Sequence, residues 1–61
     1  MSIGVIRYQN LRNGEVIYSS KHWKEKDING KTFVDAVRQD PSINKTQNHF
    51  YMLKEALKKI D

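Results

Sequence analysis

Six consecutive polar residues occupy positions 44–49 and stand directly before an apolar stretch, FYML, near the C-terminus. Asn and Gln side chains can bind adenine through two hydrogen bonds, and Lys can donate to the acceptors of guanine. In a recognition helix, side chains of the first turns face base edges in the major groove. We therefore expect base contacts from Asn44, Lys45, Gln47 and Asn48. The alternative is that this run only caps a helix, because Asn, Thr and Gln accumulate at caps and turns.

A tryptophan lies among lysines in the segment SKHWKEK, residues 20–26. An indole ring can stack on a nucleobase while neighbouring ammonium groups contact phosphates. We assign these roles to Trp23 and to Lys21, Lys24 and Lys26. The alternative is that Trp23 packs in the core and that the lysines are only solvated. Other basic side chains are expected to add phosphate contacts: Arg7, Arg12, Lys31 and Arg38.

Catalytic and metal-binding patterns are missing from the sequence. The two histidines, His22 and His49, lie far apart and neither has a second ligand at metal-binding spacing. The chain has no cysteine, no phosphate-binding glycine loop and no nucleophile motif. We expect neither a metal nor another cofactor, and we expect the protein not to be an enzyme.

The composition is that of a small basic protein. Eleven Lys and Arg stand against seven Asp and Glu in 61 residues, which gives a net charge of +4. This excess favours anionic partners, either nucleic acid or an acidic protein surface. A chain of this length forms one domain, residues 1–61, which buries only about 60% of its unfolded surface. A homodimer would enlarge such a core.

Targeting signals are also missing. The N-terminus lacks the basic segment of a signal peptide, and no stretch approaches the roughly 20 apolar residues of a spanning helix. The lack of cysteine is compatible with a reducing compartment. We expect a soluble, cytoplasmic protein without membrane contact.

The N-terminal third predicts a β-hairpin with strands at about 2–9 and 15–20, since both segments are rich in β-branched and aromatic residues. Asn13-Gly14 predicts a two-residue type I′ turn, because both positions of that turn need a positive φ. With this turn, Arg12 would face Glu15 and Gln9 would face Tyr18.

Residues 20–31 allow two interpretations. A short helical turn around 20–27 could end at Asn29-Gly30, with glycine in the left-handed conformation. Alternatively, the second strand continues to Trp23 and residues 28–30 form a second tight turn.

Two α-helices are predicted next, at about 32–39 and 44–60. Apolar residues recur at helical spacing in both segments, and Pro41 disfavours helical geometry at the residue before it. The predicted fold class is therefore α+β, a hairpin followed by two helices. The helix pair resembles a helix-turn-helix in pattern, although the connection QDPSI replaces the usual short glycine turn.

Two functions follow as expectations. The first is a small nucleic-acid-binding protein, with DNA favoured, that regulates transcription through its basic surface and the polar start of its last helix. The second is an adaptor or inhibitor that binds another protein, as phage-type modulators of host enzymes do. Tyrosines are enriched at protein interfaces, and three would be the anchors in that case: Tyr8, Tyr18 and Tyr51.

Overall fold

Two antiparallel three-stranded sheets form the computed structural model, which describes residues 4–60. The strands are β1 (Val5–Asn10), β2 (Val16–Ser20), β3 (Lys26–Ile28), β4 (Lys31–Ala36), β5 (Phe50–Leu53) and β6 (Leu57–Lys59). The first sheet has the order β2-β1-β6 and the second has the order β3-β4-β5. A 3-10 turn, Lys54–Ala56, separates β5 from β6. The predicted α+β class is wrong, because residues 4–60 contain no α-helix.

The two sheets are joined at one backbone bridge. Tyr18 N–H donates to the Val37 carbonyl at 2.9 Å, and Val37 N–H donates to the Tyr18 carbonyl at 2.8 Å. Beside this bridge, the buried Ser19 hydroxyl donates to the Asp35 carbonyl at 2.6 Å. The sheets are also joined through the chain itself, which passes directly from β5 through the 3-10 turn into β6. Side chains of both sheets contribute to one core.

Alternating side chains of both sheets fill the interior. The core consists of Tyr8, Ile17, Val34, Ala36 and Leu57, and the partly buried Ile6, Phe50 and Met52 pack against it. In β4, Val34 and Ala36 are buried while Phe33 and Asp35, on the opposite face, are only half-buried. This period of two is the pattern of a strand with one face in the core.

The predicted first hairpin is confirmed, but its turn is not. Gln9 is paired with Val16 and not with Tyr18. Asn10 N–H donates to the Glu15 carbonyl at 2.7 Å, so residues 11–14 form a longer loop, with Gly14 at a φ of 76°. The pairing differs from the predicted one by two residues, which leaves the same side chains facing the core. Residues 2 and 3 of the predicted strand lie outside the described residues.

A type I′ turn forms at the second Asn-Gly pair of the chain, Asn29-Gly30. Asn29 has a φ of 52° and Gly30 a φ of 79°, and they connect the paired residues Ile28 and Lys31. Positive φ at both positions is the geometry that this turn requires. The helical turn expected at 20–27 is wrong: a reverse turn closed by the Trp23 N–H and the Ser20 carbonyl leads to β3. Of the alternative, the tight turn at residues 28–30 is confirmed, whereas the continuation of the second strand to Trp23 is wrong, because β2 ends at Ser20.

The predicted helix at 32–39 is wrong because its apolar residues also fit a strand. The sequence TFVDAV satisfies helical spacing, but its alternate members Thr32, Val34 and Ala36 share one strand face. Valine also packs well in strands. β4 pairs with β3 on one side and with β5 on the other, and its backbone N–H and C=O groups find hydrogen-bond partners there.

The predicted helix at 44–60 is wrong although its residues favour helices. Helix propensity separates ordinary residues by less than about 0.7 kcal/mol each, and most of the stability of a helix in a protein comes from tertiary packing and not from propensity. As strands, the same residues pair with two neighbours, β5 with β4 and β6 with β1, and Leu57 enters the core. Residues 38–49, with the polar run, form a long loop between β4 and β5.

The two valines Val34 and Val16 test the assignment of strand faces. Val34 is 2% exposed and Val16 is 41% exposed. We expect Val34→Ala to lower the free energy of unfolding by about 2 kcal/mol, because it removes buried methyl groups and leaves a cavity. We expect Val16→Ala to cost less than about 1 kcal/mol. Urea unfolding followed by circular dichroism measures both, and equal losses would contradict the assigned faces.

Candidate nucleic-acid interface

The solvent side of the second sheet carries aromatic and basic side chains. Residues that lie directly opposite each other in paired strands share a face, and the register pairs Phe33 with Lys26 and Leu53, and Asp35 with Tyr51. We name this surface the aromatic face. It comprises Lys26, Ile28, Lys31, Phe33, Asp35, Tyr51 and Leu53.

An exposed ring with an adjacent cation occupies the aromatic face. Tyr51 is 48% exposed, and Lys26 Nζ lies 4.6 Å from the centroid of its ring. Such a pair is held by attraction between the ammonium and the ring quadrupole. Phe33, one strand away and half-buried, lies diagonally from Tyr51. The arrangement offers a flat apolar surface beside a positive charge.

Trp23 and His49 extend the aromatic face at one end. Their ring centroids lie 4.4 Å apart with the planes inclined at 47°. His49 Nδ1 lies 2.8 Å from Asp35 Oδ1. Because an ionised carboxylate only accepts hydrogen bonds, Nδ1 is the donor here. Trp23 is half-buried and lies outside the core cluster, so its indole retains an accessible part.

The charges of this region are partly neutralised by specific pairs. Lys54 Nζ lies 2.9 Å from Glu25 Oε2, and this hydrogen bond and charge raise the pKa of Lys54. The Asp35 carboxylate is occupied by His49. Lys31, at the far end of the face, is exposed and forms no ion pair within residues 4–60. The aromatic face therefore keeps a positive charge at its lysines.

The polar run holds the long loop together with its own side chains. The Gln47 amide donates to the Gln39 carbonyl at 2.9 Å and to the Asn44 carbonyl at 2.8 Å, and its Oε1 accepts from Gln39 N–H at 3.1 Å. Asn44 Nδ2 donates to Gln39 Oε1, and Asn44 Oδ1 accepts from Thr46 N–H. In this structure the amides of Asn44 and Gln47 are bonded inside the loop, and the base contacts expected of them stay a prediction.

The start of the loop is fixed by Asp40. Its Oδ1 accepts from the Ser42 hydroxyl at 2.7 Å and from Ser42 N–H at 2.9 Å. These two bonds hold the pKa of Asp40 below its usual value, and the bond from the hydroxyl has the larger effect. The positive charge of Arg7 lowers the pKa further. Pro41 occupies this turn, in which Ile43 N–H donates to the Asp40 carbonyl. The fixed φ of proline suits the second position of such a turn.

The structure separates the predicted site residues into groups. Lys26 and Lys31 lie on the aromatic face, Trp23 lies at its end, and Lys21 and Lys24 lie in the connection between β2 and β3. Trp23 also lines a cavity together with Asn44, Lys45 and Gln47, and the exposed Asn48 borders a neighbouring one. The three arginines lie elsewhere: Arg12 in the 11–14 loop, Arg7 opposite Tyr18 on the first sheet, and Arg38 at 3.8 Å from Glu15.

Sequence reasoning missed three contributors to this interface. Phe33 was placed in a helix, His49 was treated as incidental, and Tyr51 was considered only as a protein anchor. Strand alternation over residues 31–36 is the signal that would have placed Phe33 on the solvent side. The Trp23–His49 contact has no sequence signal, because it arises from the joining of distant segments.

Two further observations concern the described part of the chain. Residues 4–60 hold no group of three or more His, Asp or Glu side chains placed to bind a metal ion. Within the same residues, no helix is long and apolar enough to cross a bilayer.

Gln47→Ala tests whether this amide organises the loop. The substitution removes three hydrogen bonds, so we expect amide exchange at Gln39, whose N–H bonds to Gln47, to become roughly tenfold faster. Exchange at Tyr18, in the bridge between the sheets, should not change. Asn48→Ala is the matched control, because that exposed side chain makes no bond within residues 4–60. Unchanged exchange at Gln39 in Gln47→Ala would contradict the assigned role.

The lowered pKa of Asp40 predicts a pH dependence of stability. The ionised Asp40 carboxylate stabilises the folded state at pH values above 3.8, its pKa in the unfolded chain. This stabilisation is lost as the pH falls through the lower pKa of the folded state. The melting temperature of the wild type should therefore exceed that of Asp40→Ala at neutral pH, and the difference should shrink in acid. Asp40→Asn keeps an acceptor that does not titrate, so its difference from Asp40→Ala should stay constant. If the wild type still melts at a temperature as far above that of Asp40→Ala in acid as at neutral pH, the Asp40 carboxylate does not stabilise the fold through its charge.

Comparisons with known proteins give no match to this chain. No protein-family model, no curated protein and no solved structure is significantly similar to it.

Proposed function

We propose that the protein binds single-stranded nucleic acid on the aromatic face. The observation that carries this proposal is the exposed Tyr51 ring with Lys26 Nζ 4.6 Å from its centroid. Proteins that bind single strands combine aromatic rings, on which bases stack, with cations that follow the phosphates. Tyr51 supplies the ring, and Lys26 and Lys31 supply the cations on the same face.

The remaining geometry favours a single strand over a duplex. Base faces are accessible to aromatic side chains only where bases are unpaired. Residues 4–60 offer no α-helix for a major groove, so the recognition helix expected from the sequence is not part of this proposal. Trp23 lies at the end of the aromatic face and adds a second stacking surface. The net charge of +4 adds a general attraction for phosphates.

A protein partner is the second candidate, supported by a different observation. Ile28, on the aromatic face, is 46% exposed, and apolar side chains of this kind occur at the centres of protein interfaces. Tyr8 is not available as an anchor, because it is 7% exposed and belongs to the core. The two candidates differ in salt dependence, because an apolar protein interface weakens little as salt rises.

Tyr51→Leu tests the stacking surface. It removes the ring but keeps an apolar side chain, and we expect the affinity for a fluorescein-labelled single-stranded oligonucleotide to fall roughly fivefold to 150-fold, in line with one lost stacked base. Tyr18→Leu is the matched control, since Tyr18 lies on the outer side of the first sheet. Fluorescence anisotropy measures both affinities. Equal losses, or no loss in Tyr51→Leu, would contradict the assigned surface.

Lys26→Gln tests the phosphate contact. For single strands, each phosphate contact contributes about −0.7 to the slope of log affinity against log salt. We expect Lys26→Gln to make this slope less negative by about that amount and to weaken all oligonucleotide sequences alike. The control is Lys58→Gln, because Lys58 is paired with Gln9 on the first sheet. Affinity that does not change with salt would count against nucleic acid and favour a protein partner.

A further inference from the structure

We propose that the cavity at the junction of the two sheets binds one nucleoside monophosphate unit, with its base against Trp23 and its phosphate at Lys45 Nζ. This inference rests on the proposed function, because it treats the cavity as the end of the strand-binding surface. The ligand chemistry is the same for a free nucleotide and for the phosphorylated end of a strand.

The cavity forms where the connection after β2 meets the long loop. Its volume is about 300 Å³, which lies at the lower end of the range for small-molecule sites, about 300–1,000 Å³. Val5 and Pro41 contribute to its apolar surface, and Trp23 and His49 supply its aromatic surface. Flat heterocycles such as nucleobases pack well against surfaces of this kind.

Lys45 is the cation of this cavity. Its side chain is exposed and forms no hydrogen bond or ion pair within residues 4–60. The residues that line the cavity include no Asp or Glu. The nearby Asp40 carboxylate is already bonded to Ser42. An ammonium group without a competing carboxylate favours an anionic ligand group, and lysine binds phosphate as a point charge.

The polar rim is organised before a ligand arrives. Asn44 and Gln47 both line the cavity, and both are held by hydrogen bonds within the loop. His49 is held by Asp35, which leaves its Nε2 without an assigned partner. A preformed rim lowers the entropy cost of binding. The hydrogen-bonded amides of Asn44 and Gln47 and the single lysine, Lys45, therefore orient the ligand, with its phosphate towards Lys45.

The cavity adjoins the end of the aromatic face at Trp23 and His49. Trp23 and His49 line the cavity, and His49 is also bonded to Asp35 of the aromatic face. A strand that stacks on Tyr51 can therefore continue towards Trp23 and place its terminal nucleotide in the cavity. This continuity connects the cavity to the proposed function.

The first test uses emission of Trp23, which is the only tryptophan of the chain. The probes are a nucleoside 5′-monophosphate and the same nucleoside without phosphate. We expect the monophosphate to change the emission with about tenfold higher affinity than the nucleoside, as one charged contact provides. Lys45→Gln should remove this advantage and leave the affinity for the nucleoside unchanged. Lys58→Gln is the charge-matched control on the first sheet and should behave as the wild type.

Two results would overturn the inference. One is equal affinity for the monophosphate and the nucleoside, and the other is an unchanged phosphate advantage in Lys45→Gln. Since Lys45 is exposed, loss of folding is not expected in this variant, and circular dichroism checks it.

A second test separates the cavity from the aromatic face. If oligonucleotides bind in a Tyr51-dependent manner but mononucleotides do not bind, the cavity inference fails and the proposed function stands. If mononucleotides bind in a Lys45-dependent manner and oligonucleotides do not bind, the proposed function fails and the cavity remains a nucleotide site. Oligonucleotides with and without a 5′-phosphate distinguish the ligand sources. A Lys45-dependent preference for the oligonucleotide with a 5′-phosphate supports a strand terminus as the ligand. If both oligonucleotides bind equally well and mononucleotides still bind in a Lys45-dependent manner, the ligand is a free nucleotide.

Discussion

The pair of hydrogen bonds between Tyr18 and Val37 is the constraint on which the remaining structure depends. These bonds, 2.9 and 2.8 Å long, join two small sheets that would otherwise each have an open edge at this position. Open edges of three-stranded sheets are prone to pairing with other chains. The bridge is also protected, because Val37 is fully buried and the Ser19 hydroxyl bonds to the Asp35 carbonyl beside it.

The same bridge brings the functional segments together. The chain leaves β2 shortly after Tyr18 and turns at residues 20–23. It leaves β4 at Ala36 and enters the long loop directly after Val37. Trp23 and His49, which belong to these two segments, therefore meet in space. The aromatic face lies on the solvent side of β3, β4 and β5, and the cavity lies between the two segments. Both features follow from one junction and from the alternation of side chains along the strands.

Some of this arrangement could be predicted from the sequence. Turn chemistry indicated the first hairpin and identified Asn29-Gly30 as a site of positive φ, because few residues adopt that conformation. Pro41 was expected to end a helix near Gln39; the element before it is instead the strand β4, which ends at Ala36. Lys26 and Lys31, predicted as phosphate contacts, lie together on the aromatic face, whereas Arg7 and Arg12 do not. Local rules were sufficient where the backbone conformation is decided by neighbouring residues.

The rest depends on pairing between distant segments, which local patterns do not report. Residues 50–60 favour a helix by propensity, yet they form β5 and β6 because β4 and β1 offer unpaired edges. Asn44 and Gln47 have the chemistry to read bases, yet the structure uses their amides to bond the loop to Gln39. Their side-chain types indicated hydrogen bonding correctly, but the sequence did not show which partners they would find.

The most direct test of the central claim is a titration of the ¹⁵N-labelled protein with a short single-stranded oligonucleotide at low salt, followed by amide chemical shifts. We expect shifts concentrated in β3, β4 and β5 and at Trp23 and His49, with β1, β2 and β6 little changed. The observed strand-type chemical shifts would at the same time verify the β-structure of residues 50–53. Shifts concentrated on the first sheet, or no shifts at all, would contradict the claim that the aromatic face binds nucleic acid.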